Sequence, residues 1–96
     1  VNDFVEALGP DGQLIDVREP HEFGGGSLPG AVNIPLQELA DRLDELDPDR
    51  RVVLLCRSGG RSTMAARFLT AAGFDDVVNL AGGVLAYTGM ANTSAT

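Results

Sequence analysis

The sequence predicts a single α/β domain, built on a small parallel sheet of four to five strands with helices on both faces. Short apolar runs bounded by glycine, proline and aspartate alternate with segments in which apolar residues recur at helical spacing. The connections between these segments are short, which is typical of parallel sheets with right-handed crossovers. At 96 residues the chain is too short for two independent cores.

The first third of the chain predicts two short helices and one strand. Residues 2–8 predict the first helix, with an asparagine as N-cap, and the turn sequence 9–12 ends it. The apolar run 13–18 predicts a buried strand that ends on charged residues. Two prolines and four glycines in residues 19–30 indicate a loop, with one helical turn at 20–23.

The middle of the chain predicts two strands on either side of an amphipathic helix. Residues 31–34 predict the first of these strands, and the β-branched and aliphatic run 51–55 predicts the central buried strand. The acidic face of the helix is interpreted as solvated surface, because its charges lack the spacing of a calcium-binding loop. Apolar residues recur at helical spacing at Leu36, Leu39, Ala40, Leu43 and Leu46.

The last third predicts a helix over residues 62–72, with Gly73 as its left-handed C-terminal cap. Ala65, Phe68 and Leu69 are expected on its apolar face. The remaining segments are a strand (77–80), a tight turn (82–83), a short helix (84–90) and a tail that is expected to fray (91–96). We therefore expect one domain over residues 1–90.

Composition excludes several classes of protein. Fourteen acidic residues against seven arginines and no lysine give a net charge of −7, which argues against a nucleic-acid or anionic-membrane binder. A single cysteine and a single histidine exclude a disulfide framework and a zinc site, so no metal or cofactor is expected. The sequence contains neither an apolar run of about 20 residues nor a signal-peptide pattern. We therefore expect a cytoplasmic protein.

The strongest chemical signal lies in the loop after the predicted central strand. The single cysteine, Cys56, opens this loop at the carboxyl edge of the sheet, where sites of α/β proteins form. Two glycines allow positive-φ turns, and two arginines and a helix N-terminus add positive charge. Such surroundings lower a cysteine pKa from about 8.5 to roughly 3.5–7.5. We predict that Cys56 is a nucleophile rather than a small core residue. The predicted anion-binding residues are Arg57, Ser58, Gly59, Gly60, Arg61 and Ser62.

Charged and polar residues near this loop are expected to support it. Asp16 can orient an arginine or a loop amide, and Arg18 can pair with Glu22, because buried charges need partners. Ser62 can serve as the N-cap of the following helix and as a hydroxyl donor to the cysteine sulfur. His21, the single imidazole, is expected on the surface rather than as a general base.

Four motifs occur in order along the chain: LIDVREPHEF (14–23), LPGAVNIP (28–35), VVLLCRSGGRS (52–62) and AGFDDVVNLAGGV (72–84). Together they resemble a single-domain rhodanese, a thiosulfate sulfurtransferase-type domain. The resemblance implies that the Cys56 thiolate attacks the outer sulfur of thiosulfate and becomes a persulfide, which passes its sulfur to cyanide or a thiol. It also implies that Gly82 and Gly83 let the backbone pass close to the active loop. Ser27 and Leu28 replace the family's usual His-Ile.

Three functions remain open at this stage. The first is an enzyme with a thiosulfate-like donor and a thiol or cyanide acceptor. The second is a sulfur-relay module that delivers the persulfide sulfur to one protein partner. The third is a cysteine-dependent phosphatase or arsenate reductase. It is the least favoured, because four residues separate Cys56 from Arg61 where phosphatases that resemble this fold have five, and because no general acid is evident.

Overall fold

The structure is a computed structural model that describes residues 3–56 and 60–80. In chain order its elements are α1 (Asp3–Leu8), β1 (Gln13–Asp16), α2 (Pro20–Gly24), β2 (Val32–Asn33), a 3₁₀ helix (Leu36–Glu45), β3 (Val52–Leu55), α3 (Gly60–Ala71) and β4 (Val77–Asn79). The strands form one parallel sheet in the order β2-β1-β3-β4. The predicted α/β fold is thus confirmed. The expected N-cap Asn2, the Gly82-Gly83 turn, the helix 84–90 and the tail 91–96 lie outside the described residues.

Strand β3 separates two apolar cores, one on each face of the sheet. Val52 and Leu54 pack on the face covered by α3 and the 3₁₀ helix, and Val53 and Leu55 pack on the face covered by α1. All four side chains are buried, which explains why this strand is a continuous apolar run rather than an alternating one. Within the described residues no helix is long and apolar enough to cross a membrane.

The carboxyl ends of three strands meet at one edge of the sheet. Asp16 of β1 lies opposite Leu55 of β3, and Asn79 of β4 lies opposite Leu54. The ladder continues past the strand ends, since the Leu80 N–H donates to the Leu54 carbonyl over 3.1 Å. Cys56, the residue after β3, therefore lies at an edge that β1 and β4 supply with polar side chains.

The helix predicted after β2 is present, but it is a 3₁₀ helix with a break at Arg42. The backbone of Arg42 is non-helical (φ −119°, ψ 18°), and its guanidinium bonds to Glu38 and Glu45 on either side of the break. Because a 3₁₀ turn has three residues, apolar side chains three apart share a face within each half. The buried or half-buried apolar residues are Leu36, Leu39, Leu43 and Leu46, whereas Ala40, predicted on the apolar stripe, is exposed.

Helix α3 begins at Gly60, two residues before its predicted start. Gly60 is therefore helical, and the expectation that it takes a positive-φ turn conformation is wrong. The buried stripe of α3 contains Ser62, Ala65 and Leu69, and Phe68, predicted on this face, is 37% exposed. At the other end Gly73 has φ +103°, as predicted for a left-handed cap.

Candidate functional site

Cys56 is buried beneath the first turn of α3. Its side chain is 1% exposed and belongs to the same apolar core as Ala65 and Leu69 of that helix. Its Sγ–H donates to Ser62 Oγ over 3.4 Å. The sulfur therefore lies between the end of the central strand and the amino end of a helix, the location predicted from the sequence.

The contact between Cys56 and Ser62 continues into a longer hydrogen-bond chain. The Ser62 hydroxyl donates to Asn79 Oδ1 at the end of β4. Asn79 Nδ2 in turn donates to Thr63 Oγ1 over 2.8 Å. Four polar side chains from a strand end, a helix and a neighbouring strand thus form one network around the thiol.

The structure changes both roles predicted for Ser62. Ser62 is the third residue of α3, so it is not the N-cap of that helix. It does contact the sulfur, but it accepts from Cys56 and directs its own hydrogen to Asn79. Asn79 was not predicted from the sequence. The available signal was a polar residue at the carboxyl end of a strand adjacent to the cysteine-bearing strand.

Arg61, the residue before Ser62, forms an ion pair with Glu22 of α2. Two parallel bonds join the groups, from Nη1 to Oε1 over 2.6 Å and from Nη2 to Oε2 over 3.0 Å. The hydrogen bonds from Arg61 lower the pKa of Glu22 to about 2, and those bonds raise the pKa of Arg61. The expected pair between Arg18 and Glu22 is therefore wrong. The charge of Arg61 is also largely balanced by Glu22, so this side of the predicted anion cradle is less positive than expected.

Arg18 pairs instead with Asp16, and both side chains are buried. Arg18 Nη2 lies 2.8 Å from Asp16 Oδ2, and the same nitrogen donates to the Gly26 carbonyl over 2.6 Å. The Ser27 hydroxyl donates to Asp16 Oδ2 over 2.6 Å. Ser27 and Gly26 both lie in the loop after α2, so this network joins that loop to the end of β1. These contacts pair the two buried charges at the end of β1.

Comparison with known proteins assigns the family. Residues 1–90 match the rhodanese-like domain. The chain belongs to the rhodanese-like family. A thiosulfate sulfurtransferase of Shewanella oneidensis is 39% identical over 75 residues, which are 78% of this chain and 74% of the relative. A candidate sulfur carrier protein of Bacillus subtilis is 41% identical over 76 residues, but this chain covers 41% of that protein's length. A rhodanese-related protein of known structure from Thermoplasma volcanium superposes with a TM-score of 0.79 at 31% identity, covering 92% of this chain and 83% of that one.

In this rhodanese-like domain the structure describes part of the predicted anion-binding loop. Gly60, Arg61 and Ser62 are the first three residues of α3. Arg57, Ser58 and Gly59, together with Gly82 and Gly83, lie outside the described residues. His21 is exposed, as predicted. Within residues 3–56 and 60–80, no group of three histidine, cysteine, aspartate or glutamate side chains is arranged to hold a metal ion.

Replacing Glu22 by glutamine is expected to destabilise the rhodanese-like domain by about 1 kcal/mol at pH 7. A carboxyl group whose pKa is lowered in the folded state stabilises that state above its unfolded pKa of 4.5, and this stabilisation is lost as the pH falls towards 2. The difference in unfolding free energy between wild type and the variant should therefore shrink between pH 5 and pH 3. Urea unfolding at several pH values measures it.

The matched control for this prediction is Glu38→Gln. Glu38 also pairs with an arginine, Arg42, but its side chain is 46% exposed, compared with 21% for Glu22. We expect an effect of at most a few tenths of a kcal/mol for the control. Equal effects at positions 22 and 38, or a Glu22→Gln effect that stays constant from pH 7 to pH 3, would show that the Arg61 ion pair is not stabilising.

Proposed function

We propose that this rhodanese-like domain is a sulfurtransferase that carries sulfur as a Cys56 persulfide. The Cys56 thiolate attacks the outer sulfur of thiosulfate, a new S–S bond forms to Cys56, and sulfite leaves with the electron pair of the broken S–S bond. An acceptor then attacks the outer sulfur of the persulfide. Cyanide bonds to this sulfur and is released as thiocyanate, or a thiol takes up the sulfur instead. In both cases the S–S bond breaks and the Cys56 thiolate is restored.

The observation that carries this proposal is the position of Cys56 at the carboxyl edge of the central strand, in contact with the first turn of α3. A helix N-terminus favours negative charge, and a hydroxyl within reach of sulfur can donate to a thiolate. Membership of the rhodanese-like family and the thiosulfate sulfurtransferase relative support the same chemistry. In this proposal Cys56 is the nucleophile. The anion-binding residues are Arg57, Ser58, Gly59, Gly60, Arg61 and Ser62.

The proposed partners follow from this chemistry. The donor is a small anion with a sulfane sulfur, such as thiosulfate, and the acceptor is cyanide, a small thiol or a protein cysteine. We place the protein in the cytoplasm, because a nucleophilic thiol has to remain reduced between turnovers. The proposal needs neither a metal nor a cofactor, since the transferred sulfur is held by Cys56 itself.

A direct assay combines thiosulfate and cyanide and follows thiocyanate, with hydrolysis of an aryl phosphate measured in parallel. Sulfur transfer predicts that thiocyanate forms in proportion to protein and that the aryl phosphate is not hydrolysed. Hydrolysis of the aryl phosphate without thiocyanate would instead support the phosphatase-like alternative and contradict the proposal.

A second candidate is a sulfur-relay module, which the relationship to a candidate sulfur carrier protein supports. Such a module would form the same persulfide but transfer its sulfur to a specific protein thiol. Single-turnover transfer from the loaded protein distinguishes the two. Fast transfer to both cyanide and dithiothreitol supports the enzyme, whereas fast loading followed by slow transfer to either small acceptor supports the relay.

A further inference from the structure

We propose that Asn79 is a positioning residue, whose side-chain amide lets Ser62 change from an acceptor for the Cys56 thiol to a donor for the Cys56 thiolate. This inference deepens the proposed function and rests on it, because only the thiolate attacks sulfur. It concerns the hydrogen-bond chain Cys56–Ser62–Asn79–Thr63.

In the structure, the hydrogen bonds between these four side chains run in the directions that suit a protonated cysteine. The Cys56 thiol donates to Ser62, Ser62 donates to the amide oxygen of Asn79, and the amide nitrogen donates to Thr63. In this state the Ser62 hydrogen is directed away from the sulfur. A thiolate at Cys56 would face the lone pairs of the Ser62 oxygen, and this contact would be repulsive.

Loss of the thiol proton can reverse the direction of every hydrogen bond in this network while the protein backbone stays in place. A hydroxyl both donates and accepts, and its hydrogen rotates to suit its neighbours. Rotation of the Asn79 amide by half a turn exchanges its oxygen and nitrogen. Ser62 then donates to the thiolate, Asn79 Nδ2 donates to Ser62, and Thr63 donates to Asn79 Oδ1.

Asparagine suits this position because its amide offers a donor and an acceptor at equivalent places. Aspartate has nearly the same shape but accepts only. An aspartate at position 79 would hold the Ser62 hydroxyl permanently in the orientation that suits the thiol. Hydrogen bonds to the charged form of a group favour that form, so the loss of the Ser62 donor disfavours the thiolate.

The charged groups near this hydrogen-bond network lie outside β3 and β4, the two strands next to it. Neither β3 nor β4 contains an ionisable side chain. Arg61 on α3 interacts electrostatically with Cys56, and Glu22 of α2 pairs with that arginine. Arg18 and Glu19 act on this ion pair from the loop before α2. Arg67, one and a half turns further along α3, is exposed.

The test is the pH dependence of Cys56 alkylation by iodoacetamide, followed by intact mass in the absence of any sulfur donor. We expect Asn79→Asp to raise the midpoint of the pH profile by about one unit or more. Met64→Asp is the charge control. Met64 is 62% exposed and lies two residues after Ser62. The Met64→Asp substitution therefore adds a negative charge in the same helical turn without entering the hydrogen-bond network. We expect this control to move the midpoint by less than about 0.3 units.

The pair Ser62→Ala and Ser62→Ala/Asn79→Asp completes a double-mutant cycle. The charge of a carboxylate at position 79 acts on the sulfur in both backgrounds, but only the wild-type background also has the Ser62 hydroxyl, so Asn79→Asp should raise the midpoint clearly less in the alanine background than in the wild type. The inference is overturned if Asn79→Asp leaves the midpoint unchanged, if Met64→Asp shifts it equally, or if the Asn79→Asp shift is as large without the Ser62 hydroxyl as with it. Alkylation needs no sulfur donor, so these outcomes are independent of whether thiosulfate loads Cys56, which a parallel incubation with thiosulfate measures.

Discussion

Replacing Cys56 by serine is expected to lower sulfur transfer from thiosulfate to cyanide by about 10³-fold or more. A serine hydroxyl is not ionised near neutral pH and forms no persulfide, so the transferred sulfur has no carrier. Cys56 is the single cysteine of the chain, and no second thiol can replace it. Thiocyanate formation at fixed protein concentration measures the loss.

The fold of the Cys56→Ser variant should be retained, which keeps this result interpretable. Serine is close to cysteine in size, and the Ser62 hydroxyl that accepts from the thiol can accept from a hydroxyl at the same place. A urea unfolding curve provides the check. A variant with a wild-type unfolding curve that retains more than about a tenth of the activity would exclude Cys56 as the essential nucleophile.

Replacing Asp16 by alanine is expected to destabilise the protein by about 3–5 kcal/mol. Asp16 is 0% exposed, and its carboxylate accepts from the Arg18 guanidinium, the Arg18 backbone N–H and the Ser27 hydroxyl. Its removal leaves the buried Arg18 charge without its carboxylate. Since a domain of this size is stable by only about 5–15 kcal/mol, the variant should lie close to unfolding.

Two further variants make the Asp16 prediction specific. Asp76→Ala removes the carboxylate of an exposed ion pair with Arg51, and we expect a loss of at most about 1 kcal/mol. The double variant Asp16→Leu/Arg18→Met removes both buried charges, so it should be more stable than Asp16→Ala alone. Urea unfolding of the four proteins measures these differences. If Asp16→Ala and Asp76→Ala have similar effects, the buried network does not stabilise the fold.

Local sequence patterns predict the sheet and the position of the cysteine. The strand around Leu54 is a short apolar run between turn residues, and such a strand can be recognised from adjacent residues alone. Cys56 follows that run directly, so its place at the carboxyl edge of the sheet could be inferred without coordinates. The left-handed cap at Gly73 is predictable in the same way, because a glycine directly after a helical segment commonly adopts the left-handed conformation that ends the helix.

Contacts between distant segments are less predictable from one sequence. Glu22 and Arg61 lie 39 positions apart, and nothing local distinguishes this pairing from one between Glu22 and Arg18. Asn79 lies 17 positions after Ser62, and its contact depends on the register between β3 and β4. The 3₁₀ geometry of Leu36–Glu45 was also missed, because apolar residues spaced by three and four fit either helix until the break at Arg42 is known.

The intact mass of the protein after incubation with thiosulfate tests most directly whether Cys56 carries the transferred sulfur. We expect a gain of about 32 Da, one sulfur atom, that maps to the peptide containing Cys56 and disappears when cyanide is added. The Cys56→Ser protein should gain no mass under the same conditions. No gain in the wild type, or an equal gain in Cys56→Ser, would contradict the proposed persulfide.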